Sequence, residues 1–387
     1  MEHILYSYSL CASLPLLLFF GFSFLYSKTP DKAIFANYLR SRRIMGSALL
    51  LLSANYAVHL LFEVRYESHD AAILLNLSTY FLCYWLFSSA LTSLLDRFYI
   101  TRRKFLIHLC MWAAFSLLSG IVLFVLPAGA AREAGLTVMA VWLISYGVVL
   151  SRRLLRAYKK AVHIIDNSLS DDIGSYIRWM STFTYWAVIF GVGCGLLTFL
   201  PDKYIFVWVL SSVPFYIYLY VCYQNYQLFY ERVENAMEDE MPAEEDAASA
   251  QCSDEDGAAA YELPPATAEI IEGKIGAWID TGEYVRPGLT IRELARTLHT
   301  NRTYLSAYIN TVYGMSFRNW ITDLRMGDAK RNIERYPQKS IAEIAEMSGF
   351  LSMSHFIKTF KEKEGCSPAK WKQALQKSPN TGKGKDA

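Results

Sequence analysis

Apolar residues run in seven long blocks through the first 230 positions, and then the pattern changes twice. The blocks lie near 4–26, 44–64, 72–95, 104–126, 134–151, 178–200 and 204–224. Most approach the ~20 residues a helix needs to cross about 30 Å of hydrocarbon. A soluble core has nothing to cover seven helices that are apolar all round, so the pattern predicts a membrane domain over 1–230. From 231 to 262 the chain is rich in Ala, Glu and Asp, with few large apolar residues, which predicts an acidic, flexible linker. From 263 to 376 apolar positions recur at helical spacing among many charges, predicting a soluble helical domain, and 377–387 reads as a disordered tail. The expected fold class is all-α: a polytopic seven-helix bundle followed by a soluble all-α domain.

Charge sharpens this division. The formal net charge of +2 conceals three opposed blocks, with Lys/Arg against Asp/Glu at 18 to 11 in 1–230, 1 to 12 in 231–262 and 19 to 13 in 263–387. Within the first block, positive residues mark alternate loops. Lys28, Lys32, Arg40, Arg42 and Arg43 follow the first segment, Arg97, Arg102, Arg103 and Lys104 the third, and six more from Arg152 to Arg178 the fifth. The other loops hold only Arg65, Arg132 and Lys203. Lys and Arg gather on the cytoplasmic side, so the expected topology is N-terminus outside and C-terminus inside. The chain opens Met1-Glu2-His3 with no basic stretch, so the first segment is expected to be an uncleaved helix. The seven cysteines contain no C-x-x-C pair and five lie in apolar runs, which argues against a disulfide framework or a zinc site. Nothing calls for a metal or a cofactor.

Two features of the membrane half invite function. Asn55, His59 and Glu63 recur every four residues and are expected to share one helix face. They read either as a ligand or proton site or as an interhelical hydrogen-bond cluster. Tyr223, Tyr226, Tyr230, Val233 and Met237 are spaced 3, 4, 3 and 4, a short heptad-like seam that reads either as pairing with a second copy of the chain or as a chance pattern on a simple frayed extension of the helix. A retinal photoreceptor is excluded because 204–222 contains no lysine for a Schiff base.

In the soluble half, Thr290 and Glu293 have capping-box spacing, which predicts a helix start. Ile291, Leu294 and Leu298 form its apolar face, Ala295 leaves room for a crossing helix, and His299 to Asn301 make a turn. A second helix follows with Leu305 and Ile309 inward, stopped at Gly314. Helix, short turn, helix is the helix-turn-helix pattern. About fifty residues later Ser340 and Glu343, Ile344 and Ala345, then Phe356 and Phe360 repeat it, with a turn one residue longer around Ser348-Gly349-Phe350. The two units lie near 290–313 and 340–364, joined by a helix over 316–335.

The run I-A-E-I-A-E-M-S-G-F-L-S-M-S-H-F-I-K-T-F-K-E-K-E-G-C-S-P-A-K-W, Ile341 to Trp371, resembles the signature of AraC/XylS-type transcriptional regulators. The resemblance extends more loosely over 266–375 and covers none of the membrane half. It implies that the second helix of each unit enters the major groove of one DNA face. By position it assigns base-facing roles to Thr303, Ser306 and Ala307, then Met353, Ser354, His355 and Lys358, with Arg302 near phosphate. Ala307 and Met353 cannot hydrogen-bond a base edge and suit a thymine methyl instead.

The expected function is a one-component transcriptional regulator in a bacterial inner membrane, not an enzyme. Its expected partners are double-stranded DNA, the lipid bilayer, RNA polymerase, a second copy, and an unknown ligand or membrane protein. The alternative is a heptahelical transporter or channel with an appended regulatory domain, against which the segments show no paired broken helices or buried charge chains.

Overall fold

The computed structural model describes residues 2–170, 174–197, 205–238 and 265–377. Among them every regular element is a helix, with one isolated bridge between Leu169 and Thr290 in place of any sheet. The N-terminal helices are α1 (Glu2–Tyr26), α2 (Ala36–Leu61), α3 (Val64–Glu67), α4 (His69–Leu95), α5 (Arg102–Phe124), α6 (Ala130–Ser168), α7 (Gly174–Leu197) and α8 (Ile205–Glu238). After the undescribed residues 239–264 come α9 (Pro265–Thr281), α10 (Ile291–Thr297), α11 (Arg302–Tyr308), α12 (Phe317–Arg335), α13 (Ile341–Met347), α14 (Met353–Glu364) and α15 (Pro368–Lys377). They form two compact units, Met1–Ala161 with Tyr176–Glu234, and Val162–Ser175 with Asn235–Ala387.

Six helices of the described residues are long and apolar enough to cross a membrane. The helix Gly174–Leu197, at the sixth expected crossing, is not among them, so the count of seven remains an expectation. Helices α2, α6 and α8 run well beyond their apolar blocks. Helix α2 begins at Ala36 and carries Arg40, Arg42 and Arg43, and α6 continues through Arg152 to Lys160 as far as Ser168. Charge does not stop a helix, and Arg, Lys, Leu and Ala are all good helix formers.

The first unit packs α1 on α2, α2 on α4 and α4 on α5. Gly21 and Gly46 let the first pair approach, since a Cβ on Gly46 would lie 3.0 Å from the Gly21 carbonyl oxygen. Buried Arg42 closes the end of α1: Nε donates to the Phe24 carbonyl at 2.7 Å and Nη1 to Thr29 Oγ1 at 2.7 Å. Between α4, α5 and α6, Phe81 stacks on Phe115 and Tyr146 with centroids 4.6 and 4.1 Å away. The tyrosine seam does not offer itself to a second copy. Tyr223, Tyr226, Tyr230 and Val233 are fully buried within their own unit, against Phe24, Phe35, Tyr38 and Trp179 among others. Helical spacing marks an apolar face without saying which surface covers it. That helix runs to Glu238, so the first eight positions expected in the linker are helical; the rest of the linker and the tail from 378 lie outside the described residues.

In the second unit α12 is the shared spine. Its first half packs Phe317, Trp320 and Ile321 into a cluster with Ile271, Ile275, Trp278, Leu294, Leu305 and Ile309. Its second half packs Met326, Ala329 and Ile333 against Ile344, Phe350, Phe356 and Phe360. Each helix-turn-helix unit thus has its own core.

Candidate nucleic-acid interface

Both capping boxes form. The Thr290 backbone N–H donates to Glu293 Oε2 at 3.0 Å while Glu293 N donates to Thr290 Oγ1 at 3.1 Å. The Ser340 N–H donates to Glu343 Oε2 at 2.7 Å, and Glu343 N to Ser340 Oγ at 3.2 Å. Burial pushes the Glu293 carboxyl up, but the Thr290 N–H and the Arg286 guanidinium outweigh it and hold the group below its ordinary range. The Ser340 N–H likewise holds Glu343 low.

Each second helix starts on a polar cap. Asn301 Oδ1 accepts from Tyr304 N at 2.7 Å, and Ser352 Oγ accepts from His355 N at 3.4 Å. The first helix buries Leu305 and Tyr308 and passes into a wider turn over Ile309–Tyr313 that ends at Gly314, φ +65°. The second buries Phe356, Thr359 and Phe360. With those side chains inward, Thr303, Met353, Ser354 and Lys358 are exposed, and Arg302, Ser306, Ala307 and His355 are half-buried. The expected reading residues therefore fall on the open side of α11 and α14. Lys358 Nζ lies 3.8 Å from Glu362 one turn on, an exposed pair that can be exchanged for phosphate at little cost.

Arg302 is already engaged. Its Nη2 donates to Ser168 Oγ at 3.3 Å, from the 162–175 stretch of the same unit. That stretch also gives the Ser170 N–H to the Leu289 carbonyl at 3.0 Å and the Asp166 carboxylate to Arg318 at 3.1 Å. Arg325 went unnoticed in the sequence. It is buried, with Nε donating to the Tyr284 carbonyl at 2.9 Å and Nη2 to that of Arg286 at 2.8 Å. An arginine on a helix face otherwise made of Phe317, Trp320, Ile321 and Ala329 was the available signal.

The stretch 294–374 matches the family described as "Helix-turn-helix domain". This region is an AraC-type helix-turn-helix domain. Curated relatives of the domain include the HTH-type transcriptional regulator YtdP of Bacillus subtilis, 33% identical over 85 residues, 22% of this chain and 11% of the relative. The Msm operon regulatory protein of Streptococcus mutans and the raffinose operon regulatory protein RafR of Pediococcus pentosaceus are each 32% identical over 88 residues, 23% of this chain and 31% of the relative. The helix-turn-helix matches thus span about a tenth to a third of these relatives' own length. No solved structure matches the chain.

The candidate sensing residues divide. Asn55 and His59 are buried on α2: Asn55 Nδ2 reaches Thr79 Oγ1 at 3.1 Å, and His59 Nε2 lies 2.9 Å from Asn76 Oδ1. Both partners are on α4, so this is an interhelical cluster. Asn55 Oδ1 and His59 Nδ1 find no hydrogen-bond partner among the described residues. Glu63 does not share their face. Helix α2 ends at Leu61, and Glu63 is exposed beyond it with φ +44°. A four-residue spacing carries meaning only while the helix lasts.

Proposed function

We propose that this chain is a membrane-anchored one-component transcriptional regulator, whose membrane domain senses or transmits a signal and whose C-terminal domain binds duplex DNA sequence-specifically. One observation carries the reading: six helices of membrane-spanning length and an AraC-type helix-turn-helix domain occur in a single chain. The charged loops favour seven crossings with the N-terminus outside and the DNA-binding domain in the cytoplasm. Thr303, Ser306, Ala307, Met353, Ser354, His355 and Lys358 are assigned to base edges and Arg302 to phosphate. RNA polymerase is the partner through which binding alters transcription. Asn55 and His59, with two buried polar atoms unmet, are assigned to tuning the signal.

The test follows an epitope-tagged full chain. It should sediment with membranes, resist extraction at alkaline pH, and crosslink in cells to a small set of promoter segments. Reporter fusions after Asp70, Ala130 and Asp202 should behave as external, and those after Arg43, Arg103 and Lys160 as internal. A chain recovered in the soluble fraction, or crosslinking no stronger than to bulk DNA, refutes the reading.

A further inference from the structure

The first unit holds a half-open pocket of about 120 Å³. It lies among α2, α4, α6, α7 and α8, with Tyr56, Tyr84, Ser88, Gly147, Phe183 and Phe215 in its wall. Packed interiors leave few voids larger than a water molecule, so a half-open space of this size between helices is room for a ligand. A water occupies ~10–15 Å³ on this measure, so the cavity has room for a molecule of about ten non-hydrogen atoms.

The wall states the chemistry of that molecule. Among the described residues it contains no Asp, Glu, Lys, Arg or His, so an ion inside would lack a counter-charge there, which is unfavourable. Most of the surface is aromatic or aliphatic. The hydroxyls that interrupt it are partly committed: Thr184 Oγ1 donates to the Met180 carbonyl at 2.6 Å, Ser212 Oγ to that of Val209 at 2.7 Å, and Ser88 Oγ to that of Leu150 at 3.4 Å. A hydroxyl that has given its proton to a carbonyl keeps lone pairs and can only accept. Towards a ligand those three hydroxyls are therefore acceptors, and a ligand that meets them brings a donor.

We propose that this cavity binds a small, neutral, largely apolar molecule carrying one hydrogen-bond donor, of the alkyl- or aryl-alcohol class. The inference rests on the membrane-regulator reading for its biological sense and supplies the missing signal class. Helix α6 lines the cavity with Ile144, Gly147 and Val148 and runs on to Ser168, and its residues from Val162 count with the DNA-binding unit.

The experiment uses the full chain in phosphatidylcholine nanodiscs with three matched probes: 4-butylphenol, its methyl ether 4-butylanisole, and 4-butylbenzoate. Binding is read by saturable thermal stabilisation, without DNA or transcription. Failure here leaves the regulator reading standing, and failure of membrane fractionation leaves this binding result intact. The phenol should bind roughly fivefold to tenfold tighter than the ether, the worth of one net hydrogen bond, and the benzoate should not saturate. Ala187→Phe fills the cavity and should abolish the phenol effect while general bilayer effects persist. If that variant does not fold, Gly147→Ala serves instead. Its new Cβ meets the Tyr84 ring at 3.1 Å and narrows the space, and should weaken the phenol selectively. Mass spectrometry of protein taken from native membranes separates the sources: a neutral lipid displaced by the phenol marks a bilayer ligand, and none marks a molecule from outside. Equal stabilisation of wild type and the Ala187→Phe or Gly147→Ala variant, benzoate binding as tight as the phenol, or no saturable probe overturns the proposal.

Discussion

Gly349 turns the chain between α13 and α14 with φ of +81°, and Gly365 ends α14 with φ of +74°. Putting alanine at either site incurs the left-handed penalty of an L residue, about 1–2 kcal/mol. Only Gly349 adds a collision. Its Cβ would lie 2.7 Å from the carbonyl carbon and 2.9 Å from the Cα of Val285, with the carbonyl oxygen closer still, whereas nothing lies within 4 Å at Gly365. The obstacle is backbone held by Arg325, which donates to the carbonyls of Tyr284 and Arg286 on either side. Overpacking of this kind costs about 1–3 kcal/mol more. Gly365→Ala should therefore lose ~1–2 kcal/mol and Gly349→Ala ~2–5 kcal/mol. Urea unfolding of the fragment 263–387, which contains both apolar clusters whole, measures the two. Losses equal within ~0.5 kcal/mol, inside the usual scatter of surface substitutions, refute the steric argument.

Three more outcomes are expected from the same fragment. His355→Ala and Lys358→Ala should weaken binding to a selected operator by about 1–3 kcal/mol each at fixed salt while leaving the fold intact; folded variants that bind like wild type remove α14 from the interface. Phe360→Ala, at a fully buried position, should cost about 3–5 kcal/mol and unfold the second helix-turn-helix unit, seen as lost cooperativity in the thermal transition. Glu293 and Glu343 have folded-state pKa values below the unfolded 4.5, so their contribution is present above that pH and fades as pH falls through the lower folded values. Wild type should lose stability there faster than the Glu293→Gln/Glu343→Gln double variant, and parallel curves would contradict this.

The helix-turn-helix units were legible because their signals are local: a cap oxygen, an acid three residues on, a small residue at the crossing and a glycine at the stop. Helices α9 and α15 were missed although each opens on a proline at its first turn, Pro265 and Pro368, a start signal that the apolar pattern around it did not amplify. The misplacement of Glu63 and the seam of Tyr223 to Val233 have another cause. Spacing specifies a face, whereas where a helix ends and what covers that face are decided by tertiary contacts such as Tyr38 and Trp179. Arg42 counted as loop charge and proved to be a helix cap, because charge patterning carries no information about which carbonyl a guanidinium meets.

The spine α12 has a consequence for the DNA. Its 19 residues span about 28 Å at 1.5 Å per residue, somewhat less than the ~34–36 Å of one B-DNA turn. Both cores are built on that one rod, so the two helices proposed to read DNA are the fixed jaws of a caliper rather than beads on a string. One base pair inserted between the contacted segments rotates the far segment by roughly 35° and should disrupt recognition. Restoring the phase with a whole extra turn should not rescue it, because the jaws cannot open by the added ~34 Å.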